Sequence, residues 1–309
     1  MGLNSALLGF AAPTWFDIDG DGRLEPLWIS RDGLMAGDLD GTGKLVPHPV
    51  TLIGTTLEVV GSNLAGGLYS PYSLVVLDGD RDGVDELMVV EGSRYISDGD
   101  TVLVGTGLPM VASLFAQKSH APHMCYIVET GPVAPEVIPT PTSVSDARVM
   151  HRAVRIGSLL DALGGILQRG LADVAFLGGA QIDQFANVNS TVIGDYRSPK
   201  VRLPGSGGAN DIASHAKRVL IIARHERRRF PERCDYITSP GYIDGPEGRK
   251  NAGLPVPYPD IYVITDLTVM TIDKSKGRLR VEKLMPGVTV DQVRENTGFE
   301  PLEAAEIAT

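Results

Sequence analysis

The chain has 309 residues, of which 43% are hydrophobic and 21% are charged, and its formal net charge is −10. A chain of this length can bury one or two hydrophobic cores, and its negative charge argues against nucleic acid or an anionic membrane as a partner. Its two cysteines, Cys125 and Cys234, provide neither a disulfide framework nor zinc spacing, which indicates a reducing compartment and predicts a cytoplasmic location.

Residues 1–84 differ in composition from the rest, because they carry a net charge of −7 of the total −10. Their acidic residues form two similar runs, in which carboxylates alternate with small or flexible residues and an apolar run follows. Oxygen ligands on a tight turn suit Ca²⁺. The candidate calcium ligands are Asp17, Asp19, Asp21 and Glu25 in the first run, and Asp78, Asp80, Asp82 and Glu86 in the second.

These runs are not EF-hands, since the twelfth loop position is Trp28 or Val89, where a bidentate glutamate is needed. They resemble the shorter calcium loops of FG-GAP-type β-propeller repeats, which would make residues 1–84 an appended fragment with a small Asp/Gly-rich β segment. The alternative is a pair of solvated Asp-Gly turns, which are common. A propeller also needs at least about four blades, and the segment is too short for them.

From residue 85 onward, apolar runs of strand and helix character alternate and end in glycine turns. The pattern predicts helices at 86–96, 110–117 and 158–169, and strands at 101–104, 125–128, 174–177, 218–223 and 261–264. This alternation predicts an α/β domain over residues 85–309, with a mainly parallel sheet covered by helices. Ligands gather at the carboxyl ends of the strands in such sheets.

Glu129 is the candidate nucleophile. It directly follows the apolar strand 125–128, and Gly131 follows two residues later. A carboxylate at the end of a buried strand is partly desolvated, which makes it a better nucleophile, and a nearby glycine allows a substrate to come close. Read alone, the pattern also fits an ordinary solvated glutamate at a strand end.

Further glycine-rich and polar stretches accompany Glu129 in the second half of the chain. They are Gly105-Thr-Gly107-Leu-Pro109, Gly178-Gly-Ala-Gln181, Gly205-Ser-Gly207-Gly208-Ala209-Asn210, Thr238-Ser-Pro-Gly241 and Glu295-Asn-Thr-Gly-Phe299. Together with Glu129-Thr-Gly131, they resemble the β subunits of the glutaconate type in family I of the CoA-transferases, over about residues 85–309. A dinucleotide-binding interpretation fits less well, because no strand–GxGxxG–helix unit is present.

The resemblance implies that Glu129 forms a glutamyl-CoA thioester in a ping-pong transfer, with coenzyme A as a substrate and no permanently bound cofactor. It also implies an α subunit that completes the pocket, so the chain alone is expected to be inactive. Backbone N–H groups of a glycine-rich loop can stabilise an oxyanion. The candidate oxyanion or CoA-binding residues are Gly131, Gly205, Gly207, Gly208, Ala209 and Asn210, and the candidate pocket residues are Gly107 and Gln181.

Several other residues have two interpretations. A cluster of arginines could bind the phosphates of CoA or a substrate carboxylate, or could be a solvated helix end or subunit contact; its members are Arg224, Arg227, Arg228 and Arg229. His225 is interpreted as structural, because the proposed chemistry needs no proton shuttle. Alternatives for the whole chain are a CoA-thioester hydrolase or decarboxylating relative of the same fold, and a calcium-stabilised binding module formed by residues 1–84.

Overall fold

In the computed structural model, the described residues are 84–105, 107–135, 144 and 146–308, together with the backbone of four short strands before residue 50. These four strands are β1 (Thr14–Phe16), β2 (Glu25–Ser30), β3 (Gly33–Leu39) and β4 (Leu45–Pro49). They form one antiparallel sheet in chain order, which agrees with the small β segment expected there.

Most of the candidate calcium ligands lie outside the described residues. These are Asp17, Asp19, Asp21, Asp78, Asp80 and Asp82. The backbone of Glu25 begins β2 and that of Glu86 lies in a helix. The side chains that the structure describes contain no group of three or more His, Cys, Asp or Glu residues that could hold a metal ion.

The second part of the chain begins with helix α1. The helices are α1 (Val84–Ser93), α2 (Leu108–Ser119), a π-helix (Asp161–Leu167), α3 (Ala209–His215), α4 (Gly248–Asn251) and α5 (Val290–Glu295), with a 3₁₀ turn at Ala147–Met150. The strands are β5 (Thr101–Val104), β6 (Cys125–Val128), β7 (Val174–Leu177), β8 (Gln181–Ile182), β9 (Val188–Asn189), β10 (Val192–Gly194), β11 (Pro199–Arg202), β12 (Arg218–Ile222), β13 (Asp260–Ile264), β14 (Thr268–Asp273), β15 (Arg278–Leu284) and β16 (Leu302–Ala308).

Eight of these strands form the central sheet, in the order β16-β15-β14-β13-β12-β7-β5-β6. The five strands from β13 to β6 are parallel to their neighbours, β14 and β15 are added in antiparallel fashion, and β16 is parallel to β15. The prediction of a mainly parallel sheet is therefore confirmed. The hairpins β8–β9 and β10–β11 lie outside this sheet.

Helices cover both faces of the sheet. Successive side chains of a strand point to opposite faces, so one strand contributes to both hydrophobic cores. In β5, Val102 and Val104 pack with Met88 of α1 and Met110 of α2. Leu103 belongs instead to the core that contains the π-helix and α3. The site described below lies on the π-helix and α3 face, at the carboxyl ends of the parallel strands.

Two predicted helices differ from the observed ones. The helix predicted at 86–96 ends earlier, at Ser93, and continues as turns. The helix predicted at 158–169 is a π-helix over Asp161–Leu167. Gly164 and Gly165 lie in its middle, and two adjacent glycines weaken α-helical hydrogen bonding at that point. Within the described residues, no helix combines the length and the apolar character that crossing a membrane would require.

Candidate active site at the carboxyl edge of the sheet

Glu129 lies at the carboxyl edge of the parallel strands. Val128, at the end of β6, pairs with Val104, at the end of β5, and the N–H of Glu129 donates a hydrogen bond of 3.4 Å to the carbonyl of Val104. The apolar residues of β6 are buried, so the strand fixes the backbone from which the Glu129 side chain starts. The predicted position of this carboxylate at a strand end is confirmed.

The carboxylate of Glu129 is half-buried, and this desolvation raises the pKa of Glu129 above its usual range. No described side chain forms an ion pair with it, and no described group donates a hydrogen bond to it. A half-buried carboxylate without a donor among the described residues keeps its lone pairs available for attack on an electrophile. Glu129 therefore has the environment that a carboxylate nucleophile requires.

The glycine-rich loop 205–208 reaches Glu129 from a distant part of the sequence. A β-carbon placed on Gly208 would lie 3.4 Å from Oε2 of Glu129 and 3.2 Å from Cδ1 of Leu163 in the π-helix. Gly205 and Gly207 have φ angles of +98° and +50°, a region that side chains disfavour, so the loop path depends on glycine. The structure thus brings the predicted oxyanion stretch to the predicted nucleophile.

The backbone N–H groups of this loop differ in their availability. The N–H of Gly205 donates to the carbonyl of Ser190 at 2.8 Å, and the N–H of Ala209 donates to the carbonyl of Ser206 at 2.9 Å. The N–H groups of Gly207 and Gly208 have no acceptor among the described residues. Of the predicted oxyanion residues, these two have donors available for a reacting oxygen, whereas Gly205 and Ala209 use theirs within the fold.

Gly131 is required by a contact within the chain itself. Its φ angle is +124°, and a β-carbon there would lie 2.3 Å from the carbonyl oxygen of Gly157. The N–H of Gly157 in turn donates to the carbonyl of Gly131 at 3.3 Å. The segment that begins at Gly157 is therefore packed against the Glu129 loop, and this contact, rather than an approaching substrate, accounts for the glycine.

The other predicted pocket residues make contacts within the fold. Gly107, with a φ angle of +90°, precedes the first residue of α2. The buried amide of Gln181 accepts from Nδ2 of Asn189 at 2.7 Å and donates to Oδ2 of Asp235 at 3.1 Å. Nδ2 of Asn210 donates to the carbonyl of Thr238 at 2.8 Å. Gln181 and Asn210 are thus used to hold loops together.

The arginine cluster is largely engaged by its own chain. Arg227 donates to the carbonyls of Glu295 and Thr297, at 3.1 Å and 2.8 Å. Arg228 is paired with Glu226, and Nη1 of Arg229 donates to the carbonyl of Gly179 at 3.4 Å. These contacts favour the structural interpretation of these three arginines over that of a phosphate site. Arg224 also has a partner within the chain.

His225 is buried against Phe230, with ring centroids 4.1 Å apart, and its nitrogens are each 3.0 Å from a threonine hydroxyl, those of Thr265 and Thr297. Burial lowers the pKa of His225 to about 4, which agrees with a structural role. Burial also raises the pKa of the Cys125 thiol, and it raises that of the Cys234 thiol strongly. Neither thiol is therefore a reactive thiolate at neutral pH.

A cavity of about 150 Å³ adjoins the Glu129 loop. Thr130, Pro132 and Gly157 form one part of its wall, and Val149 and Met150 form another. Val144 and the carboxylate-bearing Asp146 complete the lining. The sequence did not reveal that Gly157 and Leu163 help to build the site, because Leu163 falls inside the helix predicted at 158–169 and Gly157 directly precedes it.

Comparison with known proteins identifies a family whose members are similar to this chain. The model of the Coenzyme A transferase family matches residues 86–296. The β subunit of 3-oxoadipate CoA-transferase from Pseudomonas knackmussii is 41% identical over 215 residues, which is 70% of this chain and 82% of the relative. The β subunit of glutaconate CoA-transferase from Acidaminococcus fermentans is 40% identical over 219 residues, with coverage of 70% and 82%.

Solved structures agree with the sequence comparison. The crystal structure of glutaconate coenzyme A-transferase from Acidaminococcus fermentans superposes with a TM-score of 0.68 at 39% identity, covering 72% of this chain and 87% of that chain. The decarboxylase AibA/AibB superposes with a TM-score of 0.63 at 23% identity, with the same coverage of both chains, and shares the fold.

Proposed function

Because the chain belongs to the Coenzyme A transferase family and is the β subunit of a CoA-transferase, we propose that Glu129 is the nucleophile by which it moves CoA between two carboxylic acids. The observation that supports this role most strongly is the position of Gly208. Its β-position lies 3.4 Å from Oε2 of Glu129, so the loop whose Gly207 and Gly208 N–H groups have no acceptor among the described residues lies beside this half-buried carboxylate. CoA is then a substrate, and no permanently bound cofactor is needed.

The first half-reaction has two steps. A carboxylate oxygen of Glu129 attacks the thioester carbonyl of the acyl-CoA, the C–S bond breaks, and CoA leaves as a thiolate while an acyl-glutamyl anhydride forms. The thiolate then attacks Cδ of Glu129, and the acyl group leaves as a free carboxylate. The product is a glutamyl-CoA thioester, from which a second carboxylate takes CoA by the same steps in reverse.

Each attack creates a negatively charged oxygen that needs donors. The N–H groups of Gly207 and Gly208 have no acceptor among the described residues and adjoin Glu129, so they are the proposed oxyanion donors. Removing one preorganised donor of this kind typically lowers kcat by about 100- to 1000-fold.

The proposed acid substrate is a short dicarboxylic acid. The two relatives at about 40% identity are named for glutaconate and 3-oxoadipate, and both of these acids carry two carboxylates.

The proposed partner is an α-type subunit, because the two relatives at about 40% identity are each named as one subunit of an enzyme. Apolar side chains beside the site are exposed in this chain: Val154 is 83% exposed, Ile156 65% and Leu160 76%. A run of exposed apolar residues is typical of a protein contact surface. Because Gly157 of the same segment packs on the Glu129 loop, a subunit bound there would cover the site. The chain without that partner would be inactive.

Residues 1–84 are proposed to be an appended unit, separate from the domain at 85–309. The family match begins at residue 86, and four antiparallel strands precede it. The acidic runs support an FG-GAP-like fragment that binds Ca²⁺, and two free cysteines support a cytoplasmic location. Calorimetry with Ca²⁺ and then EDTA tests the calcium site; an unchanged melting temperature would remove calcium from the proposal.

The transfer reaction is tested by co-expression with an α-type subunit, followed by an assay with acetyl-CoA and glutaconate. The expected products are glutaconyl-CoA and acetate in equal amounts. Treatment with acyl-CoA and borohydride should abolish activity, because hydride reduces the glutamyl-CoA thioester. Loss of acetyl-CoA without a new acyl-CoA would indicate hydrolysis and contradict the proposal.

A further inference from the structure

Arg249 is a buried cation that the proposed mechanism does not use. It is fully buried, and no described carboxylate pairs with it. Its guanidinium instead donates to five backbone carbonyls. The acceptors are Val256 at 2.8 Å, Pro240 at 2.8 Å, Gly241 at 3.0 Å, Ala213 at 2.9 Å and Ser214 at 3.3 Å. A buried charge costs free energy unless it is fully hydrogen-bonded, so these contacts hold a specific geometry.

Two of the acceptors belong to the helix that follows the oxyanion loop. Helix α3 begins at Ala209, directly after Gly208, and Ala213 and Ser214 lie in its second half. A cation near the last carbonyls of a helix satisfies groups that the helix itself leaves unbonded. Arg249 therefore fixes the far end of the short element whose near end lies at Glu129.

The other acceptors connect α3 to a second loop. Pro240 and Gly241 follow Thr238, whose carbonyl accepts the hydrogen bond from Nδ2 of Asn210 in the first turn of α3. The loop 238–241 is thus connected to both ends of α3, through Asn210 at one end and Arg249 at the other. The N–H groups of Gly207 and Gly208, which have no acceptor in the described part of the chain, stand immediately before this anchored helix.

We propose that Arg249 is a positioning residue that holds α3 so that the N–H groups of Gly207 and Gly208 face the carbonyl formed at Glu129. The inference depends on the proposed role of Glu129 as nucleophile. A planar guanidinium can reach carbonyls of three segments at once with fixed geometry, whereas a lysine ammonium on a flexible chain has fewer donors and no fixed plane.

The test compares Arg249→Lys and Arg249→Gln with the wild type, each co-expressed with the α-type subunit. Gln keeps donors and avoids a buried charge, so it provides a folded variant if Lys does not. Active sites are counted by trapping the glutamyl-CoA thioester with tritiated borohydride, and kcat is expressed per trapped site. Dividing by trapped sites prevents partial unfolding from being read as slow catalysis.

The expected result is a kcat per site that falls by about 10- to 100-fold, with KM within about threefold of the wild type, because a shift of about 1 Å in a catalytic group has this effect. The matched control is Arg218→Gln. Arg218 also donates to a backbone carbonyl, that of Tyr95 at 2.9 Å, but lies at the amino end of β12, on the opposite edge of the sheet. Its kcat per site should stay unchanged.

A kcat per site within twofold of the wild type in both Arg249 variants, whatever their melting temperatures, would overturn the inference and leave Arg249 a purely structural residue. An equal fall in the Arg218 control would overturn it too. Glu129→Gln is assayed in parallel: if that variant still transfers CoA, the proposed nucleophile fails, and this outcome is distinguishable from failure of the Arg249 inference alone.

Discussion

Replacing Gly208 by alanine should slow transfer without unfolding the chain. The added methyl group would lie 3.2 Å from Cδ1 of Leu163, whose side chain must move by a few tenths of an ångström, and at contact distance, 3.4 Å, from Oε2 of Glu129. Gly208 has φ −81° and ψ −2°, which alanine adopts without strain. The change in the free energy of unfolding should therefore stay within about 1 kcal/mol. A methyl group in contact with Oε2 occupies space beside the reacting carboxylate, so the geometry of attack should be disturbed and kcat should fall by about 10- to 100-fold.

The assay for this variant measures kcat, KM and the melting temperature of the complex with the α-type subunit. Gly245→Ala is the matched control, because a β-carbon on Gly245 would have no neighbour within 4 Å and its φ is not positive. The control should keep both kcat and melting temperature. The reasoning would be refuted if Gly208→Ala kept full kcat, since the reacting groups then could not use the space beside Oε2 of Glu129.

Three further predictions concern pH and assembly. Because desolvation raises the pKa of Glu129, and only the ionised form is nucleophilic, kcat/KM should fall on acidification through a pKa above 4.5; a profile flat down to pH 4.5 would contradict this. The pKa of His225 is about 4 in the folded chain against 6.5 for a free histidine, so the unfolded chain binds the proton more tightly. The free energy of unfolding should therefore decrease as pH falls from 6.5 towards 4. Between pH 7 and pH 5 this loss is about 2 kcal/mol, and His225→Gln should lack it in denaturant titrations; an equal loss in the variant would exclude His225 as the cause. Leu160→Asp should weaken binding of the α-type subunit at least tenfold in a titration, whereas Leu171→Asp, an exposed leucine before β7, should not.

The sequence reveals Glu129 and the central strands because the signals for both are local. The strand Cys125–Val128 is continuous and apolar, and the carboxylate follows it directly, so its place at the sheet edge depends only on strand direction. Gly205 and Gly207 are equally local signals, since their positive φ angles exclude most other residues. Resemblance to a known family then connected the two stretches.

What the sequence does not reveal are contacts between distant segments. Gly131 looks like an opening for substrate, but its constraint comes from Gly157, which is 26 residues later in the sequence. Arg249 looks like an ordinary helical arginine, and its burial depends on five carbonyls from three segments. The π-helix was predicted as a longer amphipathic helix, because periodicity does not distinguish the two when paired glycines interrupt the pattern.

The central claim is that Glu129 carries CoA as a covalent thioester. The most direct measurement is mass spectrometry of the borohydride-treated complex after incubation with acyl-CoA, for the wild type and for Glu129→Gln. In the wild type, Glu129 should be reduced to the corresponding alcohol, whereas the variant should be unmodified and should have lost transfer by at least about 10,000-fold. A wild type reduced at another residue, or a Glu129→Gln variant that still transfers CoA, would contradict the role of Glu129 as carrier of CoA.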